Sequence, residues 1–342
     1  MTTKIIKEKK DYHHLIKVVG QLLEEARKKV YSTVNSILVD TYWEIGQRIV
    51  EFEQQGKEKA EYGSRLLEKL SSDLKLEYGK GFSKSNLIYM RLFYLHYPKS
   101  EMLSHQLSWS HYFELLKIDD NLARSFYEHQ CLNERWSVSE LKRQKNSALF
   151  ERIAFSRDKK GILKLAKEGC IIERADDLIR DPYVLEFLGL PEKKKYSEKE
   201  LEQRIIDNLQ HFLLELGKGF TFVARQFRMS LANRHYYIDL VFYHRILKCF
   251  VLIDLKIGEV THADIGQMNL YLNYFKSEEM TEGDNEPIGI ILTTEKEKVM
   301  VQYALGSLSN KLFVSKYQLY LPHKKELEAE IRKLLNKEKK IR

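Results

Sequence analysis

The sequence predicts a two-domain protein of α/β class, with an all-helical N-terminal domain followed by a mixed-sheet core whose elements run αβββαβ. Three observations carry this expectation. Apolar residues recur at helical spacing through residues 1–155. From residue 197 the pattern changes to a helix, three strand-like runs (220–229, 236–244 and 249–257), and then alternating helix and strand. The length of 342 residues exceeds one ordinary domain, so two are expected.

In the first domain, Leu15, Val18, Val19, Leu22, Leu23, Ala26 and Val30 put an apolar stripe on a helix that reaches Phe52 and ends in the polar loop QQGKEKAEYG. A second helix follows, from Ser64 to about Glu77, then the turn YGKGF and a third helix over 84–97. Ser83 is a good N-cap for that helix and Pro98 stops it, while Gly79 and Gly81 free the backbone for the turn. Helix, glycine turn and capped helix have the form of a helix-turn-helix, which makes Lys84, Ser85, Asn86 and Arg91 candidate DNA contacts. The alternative is a helical bundle with a tight turn. Tyr89, Phe93, Tyr94 and Tyr97 recur at helical spacing, as core residues do, and Trp43, Trp109 and Trp136 also sit in apolar patterns.

Residues 156–196 read as a connector with helix in DPYVLEFLGLP, ending in the charge run EKKKYSEKE. Residues 197–322 hold the α/β core: a helix over 197–216, the three strands, and a helix near 262–277. A polar loop (TEGDNEP), the strand PIGIILT, a helix near 295–306 and the strand LFVSKYQLY complete it. Residues 323–342 form a basic C-terminal helix.

A net charge of +8 and a pI near 9.0 favour an anionic partner, with nucleic acid ahead of a membrane surface. The three cysteines, Cys131, Cys170 and Cys249, form no CxxC pair, so neither a disulfide framework nor a zinc knuckle is indicated. The N-terminus lacks a signal-peptide core and no run approaches 18 apolar residues, so a cytoplasmic protein without a membrane partner is expected.

The chemistry concentrates on two strands, HYYIDLVFYH and CFVLIDLKI, joined by RILK. If RILK is a four-residue hairpin loop, His244 pairs with Cys249, and counting back sets Asp239 opposite Asp254. Alternation then puts Lys256 on the same face. Two carboxylates at close range in an apolar setting repel unless a cation lies between them, and a hard divalent ion such as Mg2+ takes such oxygen ligands. Lys256 could orient an attacking water or stabilise charge on a phosphate. A structural ion pair is the ordinary role of a lone DxK, but the opposed Asp239 argues against it here. Ser197 opens the preceding helix, and Glu202 falls within its apolar stripe (Ile205, Ile206, Leu209, Leu213, Leu216), either as a ligand or as a solvated stripe end. Glu198 lies on the same face as a competitor. Gln267, on the first turns of the helix after the third strand, is within reach of the site, although a surface role is the commoner one for such a residue.

Asp239 with Asp254-x-Lys256 on the next strand resembles the PD-(D/E)XK nuclease signature. LEQRIIDNLQHFLLELGKGFTFVARQ, YYIDLVFYHRILKCFVLIDLKIGE and IGQMNLYLNYF resemble the C-terminal domain of the bacterial YhcG-like nucleases. YWEIGQRIVEFEQQGKEKAEYG, LSSDLKLEYGKGFSKSNLIYMRLFY and LSWSHYFELL resemble that family's N-terminal domain. The resemblance implies a restriction-endonuclease-like core, with Glu202, Asp239, Asp254 and Lys256 as its acid–acid–acid–lysine set and Gln267 as an added polar position. It further implies a DNA endonuclease using Mg2+, with Mn2+ as a substitute, in genome defence or mobile-element processing. Asp239, Asp254, Glu202 and the Leu255 carbonyl would be the metal ligands. Asp254 stands where the family commonly has Glu, and Ser139 where it usually has Arg. The rival reading is a non-catalytic DNA-binding or regulatory protein retaining the fold. A homodimer, and a protein partner for the N-terminal domain, are both compatible with the sequence.

Overall fold

The computed structural model describes residues 2–54, 65–155, 157–180, 182–190, 196–231, 234–295, 311–321 and 324–336. The loop expected over 54–63 and the helix expected near 295–306 lie largely outside them, as do residues 192–195 of the charge run and 337–342 of the tail. The chain divides into two compact units, Met1–Arg124 and Ser125–Arg342.

In the first unit, α1 (Thr2–Gln54), α2 (Leu66–Tyr78), α3 (Lys84–His96) and α4 (Trp109–Leu115) are the principal helices. α2 ends at Gly79, whose φ of +89° is a conformation that L side chains rarely adopt. The Ser83 hydroxyl then accepts the Asn86 N–H at 3.2 Å and starts α3. The C-terminal part of α1 crosses α3 so closely that a Cβ at Gly46 would lie 2.0 Å from the Met90 carbonyl oxygen. Ile49, Leu87 and Met90 form the core there, with Tyr42 and Trp109 packed against them. Phe93 and Trp109 meet at 5.5 Å between ring centroids, and of the periodic aromatics Phe93 and Tyr97 are buried while Tyr89 and Tyr94 are half-buried. The N-terminal part of α1 differs: its apolar stripe from Leu15 to Val30 is exposed throughout.

The second unit begins within α5 (Asn121–Glu134) and continues through α6 (Val138–Asn146), α7 (Leu149–Phe155) and α8 (Lys159–Glu168). Its six-stranded sheet has the order β1-β6-β5-β4-β3-β2. The strands are β1 (Tyr183–Val184), β2 (Phe220–Leu231), β3 (Arg234–His244), β4 (Cys249–Glu259), β5 (Ile288–Glu295) and β6 (Lys311–Gln318). β2, β3 and β4 form an antiparallel meander, and β4, β5, β6 and β1 run parallel. α9 (Glu198–Asp207) and α10 (Leu209–Leu216) pack on one face with Leu240, Ile253 and Leu255. α11 (His262–Tyr274) packs on the other face with Val241 and Leu252.

Two local expectations change. The helix expected over 197–216 is two helices, broken at Asn208, whose side chain caps back onto the Arg204 carbonyl. The helix expected in DPYVLEFLGLP is instead a short strand at the sheet edge followed by a single 3-10 turn, because Tyr183 and Val184 bury both side chains while pairing with β6. Part of the connector is therefore sheet. Glu215 of α10 is fully buried among arginines, with Arg152 at 2.7 Å and Arg143 at 3.3 Å. Burial alone would raise its pKa, but Arg152, Arg180 and Arg143 outweigh that and hold it below the usual range. The C-terminal α12 (Lys324–Asn336) is tied to α7 by a 3.4 Å pair between Lys324 and Glu151.

Candidate active site

Residues 245–248 form a four-residue turn, and the β3–β4 register runs from His244↔Cys249 to Leu240↔Ile253. The next step sets Asp239 abreast of Asp254, as hairpin counting predicts. There the regular ladder gives way to side chains. The Leu255 N–H donates to Asp239 Oδ2 at 2.8 Å, and the Asp239 N–H bonds the Asp254 carboxyl. Each aspartate thus locks the other strand's backbone. Asp254 is buried, 3% exposed, and Asp239 is half-buried.

Burial, then the neighbouring Asp239 charge, push the Asp254 pKa up to about 7. Burial also raises Asp239, against the opposing hydrogen bonds from Leu255 and Gln226. Glu202, on the buried side of α9, is raised by burial and then by Asp239. Its Oε1 is buried without a hydrogen-bond partner, and Arg225 Nε lies 3.8 Å away.

Gln226 is the residue sequence reasoning missed. Its Nε2 donates to Glu202 Oε2 at 2.8 Å and to Asp239 Oδ1 at 3.0 Å, bridging acids from a helix and a strand. It holds a φ of +46°, a left-handed conformation uncommon outside glycine. The signal was present in FTFVARQFRM, where apolar positions switch from even (Phe220, Phe222, Ala224) to odd (Phe227, Met229). Such a phase slip marks an irregular strand that re-aims a side chain.

Lys256 lies 3.4 Å from Asp264 and 3.7 Å from Glu198, whose other oxygen accepts the Ile257 N–H. Burial acts to lower the Lys256 pKa, but Glu198, Asp254 and Asp264 outweigh it and keep it above the ordinary value. The competitor Glu198 therefore serves the lysine. Gln267 donates to the Tyr271 hydroxyl, which in turn donates to the Tyr237 carbonyl at 3.0 Å. Gln267 thus meets the acids through the strand they stand on. Burial sends the Tyr271 pKa to about 12, with Asp254 and Asp239 adding to the rise.

Among the described residues no three acidic, histidine or cysteine side chains close into a metal cage, and the Gln226 amide occupies the space between Glu202 and Asp239. The donor set still suits a hard cation. It offers carboxylate oxygens only, one of them orphaned, on acids whose charge burial penalises.

The helix-turn-helix candidates lie in the first unit. Lys84 pairs with Glu68, and Arg91 with Glu53 at 2.6 Å. Asn86 holds the Gly81 carbonyl at 2.6 Å and accepts the Trp109 indole N–H at 3.0 Å. Ser85 is exposed.

Residues 176–333 match the model of the YhcG PDDEXK nuclease domain, and residues 18–152 that of the DUF1016 N-terminal domain. The chain is 38% identical to "Putative nuclease YhcG" of Escherichia coli (strain K12) over 353 aligned positions, covering 94% of this chain and 93% of that protein. The chain belongs to the YhcG PDDEXK nuclease family. It is a nuclease by this membership, and its mixed sheet with flanking helices is the PDDEXK core. PDDEXK nucleases generally use divalent metals. Two solved structures align with 39% of this YhcG-family chain and half of their own length: a repair endonuclease from Pyrococcus abyssi at 20% identity, and an EndoMS–dsDNA2 complex at 14%, both with a TM-score of 0.26. No helix among the described residues is long and apolar enough to cross a membrane.

Proposed function

We propose that this YhcG-family nuclease is a cytoplasmic DNA endonuclease, hydrolysing phosphodiester bonds with Mg2+ or, as a substitute, Mn2+. The observation that carries the reading is the mutually locked pair of half-buried Asp239 and buried Asp254 beside the orphaned Glu202 oxygen. Asp239, Asp254 and Glu202 would hold the cation, with the Leu255 carbonyl completing its shell. A bound divalent ion would neutralise these acids, activate water and stabilise charge on the phosphate.

The chain's own groups do the rest. Lys256, kept protonated by Glu198 and Asp264, orients the water and meets the charge developing on the phosphate. Gln226 sets the spacing of Glu202 and Asp239 for the cation, a positioning role. Gln267 and Tyr271 fix the Tyr237 end of β3. The net charge of +8 and the resemblance support DNA as substrate, and genome defence or mobile-element processing as the setting. Residues 1–155 are assigned to DNA or partner recognition, 156–196 to a connector, 197–322 to chemistry, and 323–342 to a basic helix. In the first domain, DNA phosphates would compete with Glu68 for Lys84 and with Glu53 for Arg91, with Ser85 and Asn86 on the same helix.

Incubating supercoiled plasmid with Mg2+ and wild type, Asp254→Ala or Lys256→Ala tests this. Cleavage by wild type that is lost by at least ~100-fold in both variants is expected. Equal nicking by all three refutes the site. Equal binding without cleavage by any protein favours the non-catalytic, regulatory reading. Parallel arms with RNA and single-stranded DNA decide the substrate.

A further inference from the structure

The N-terminal part of α1 is a helix with an apolar face that nothing among the described residues covers. From His13 to Val34 the helix has no buried side chain. The exposed residues include Leu15 at 56%, Leu22 at 61%, Val30 at 62% and Ile37 at 59%. Helices in proteins draw most of their stability from packing an apolar face, so a long uncovered one points to a partner.

The pattern identifies the partner. Leu15, Val19, Leu22, Ala26, Val30, Thr33 and Ile37 follow one another at steps of four, three, four, four, three and four. This repeat closes after eleven residues and keeps all seven within about 80° of one another on a straight helix. Ile16, Leu23 and Val34 flank the seam, while Lys17, Glu24 and Lys28 lie opposite. None of the seven seam residues is charged, and Lys29, about 20° outside the seam, is exposed and can keep its ammonium in water while its stem lies along the edge. The uncovered length from Leu15 to Ile37 is about 33 Å. Ten half-exposed side chains at roughly 80 Å² each give on the order of 800 Å² per copy, the burial of a standard stable interface. The opposite face mixes acid and base, and the seam has no aromatic residue, unlike a helix built to lie on an anionic membrane.

We propose that residues 15–37 of α1 pair with the same segment of a second copy, making the protein a homodimer through a two-helix seam. The pairing does not depend on the metal reading of the nuclease site.

Sedimentation equilibrium on the full chain at tens of micromolar is the test. Wild type is expected at twice the 40.6 kDa of the chain. Leu22→Glu with Val30→Glu places charge in the seam without touching any buried residue. It is expected to weaken the dimer by about 100-fold or more, at unchanged helix content by circular dichroism. Lys17→Glu with Lys28→Glu, on the opposite face, is expected to leave the mass unchanged. A monomeric wild type, or a dimer indifferent to the seam charges, overturns the proposal. So does a monomer that floats with anionic phosphatidylserine vesicles, which would make the face a lipid surface.

Discussion

Replacing Asp254 by asparagine tests the cation reading through stability rather than turnover. Asp254 has its pKa raised from 3.8 to about 7 by burial and by the Asp239 charge. A carboxyl raised in the folded state stabilises the fold below its unfolded pKa, and that contribution is lost as pH rises through the folded value. Between pH 4 and pH 7 folding therefore takes up a proton, and wild type without metal should lose stability across that window. The shift of about three pH units corresponds to on the order of 4 kcal/mol. Asparagine keeps the shape and carries no charge. In EDTA, Asp254→Asn should exceed wild type at pH 8 by a few kcal/mol, and by about half as much at pH 5 to 6. Denaturant-dependent hydrogen exchange on β3 and β4 peptides isolates the effect from the helical unit. Adding Mg2+ at pH 8 should restore wild type and leave the variant unchanged. A variant no more stable than wild type at pH 8, or a gap independent of pH, would refute the argument that uncompensated charge is held in this site.

Further expectations follow from particular contacts. Gln226→Ala removes the amide joining Glu202 and Asp239, and should raise the Mg2+ concentration for half-maximal cleavage by ~10-fold or more, checked by metal titration at fixed substrate. If that concentration stays the same, Gln226 is only a strand irregularity. Glu215→Ala strands the buried guanidinium of Arg152 with those of Arg143 and Arg180, and should destabilise the second unit by about 3–5 kcal/mol in urea. A change below 1 kcal/mol would mean solvent already reaches the cluster.

The fold was legible wherever local pattern and packing agree. Ser83, Gly79 and the alternation in β3 and β4 act through their own neighbours, so reading them needs no knowledge of the rest. The facing of Asp239 and Asp254 was legible for the same reason, since a short turn fixes the register of the strands it joins. Gln226 was not, because it acts from a third strand through a backbone conformation that no composition rule assigns to glutamine. The strand at Tyr183 and Val184 escaped because two residues are too few for periodicity, and their pairing with β6 spans more than a hundred residues of sequence. Gln267 was placed correctly on its helix, but its link to β3 runs through Tyr271, which the pattern presents only as an apolar position.

The arginine-ringed Glu215 separates kinship from folding. The family boundary near residue 176 and the compositional boundary near 197 both leave Arg143 and Arg152 on the far side of the cut from the carboxylate they neutralise. A nuclease fragment begun at 176 would bury Glu215 without Arg152 and Arg143, and one begun at 197 would lose Arg180 as well. A piece that keeps this cluster whole begins upstream of Arg143. Exchange of nuclease halves among relatives would succeed only when α6 and α7 travel with the sheet.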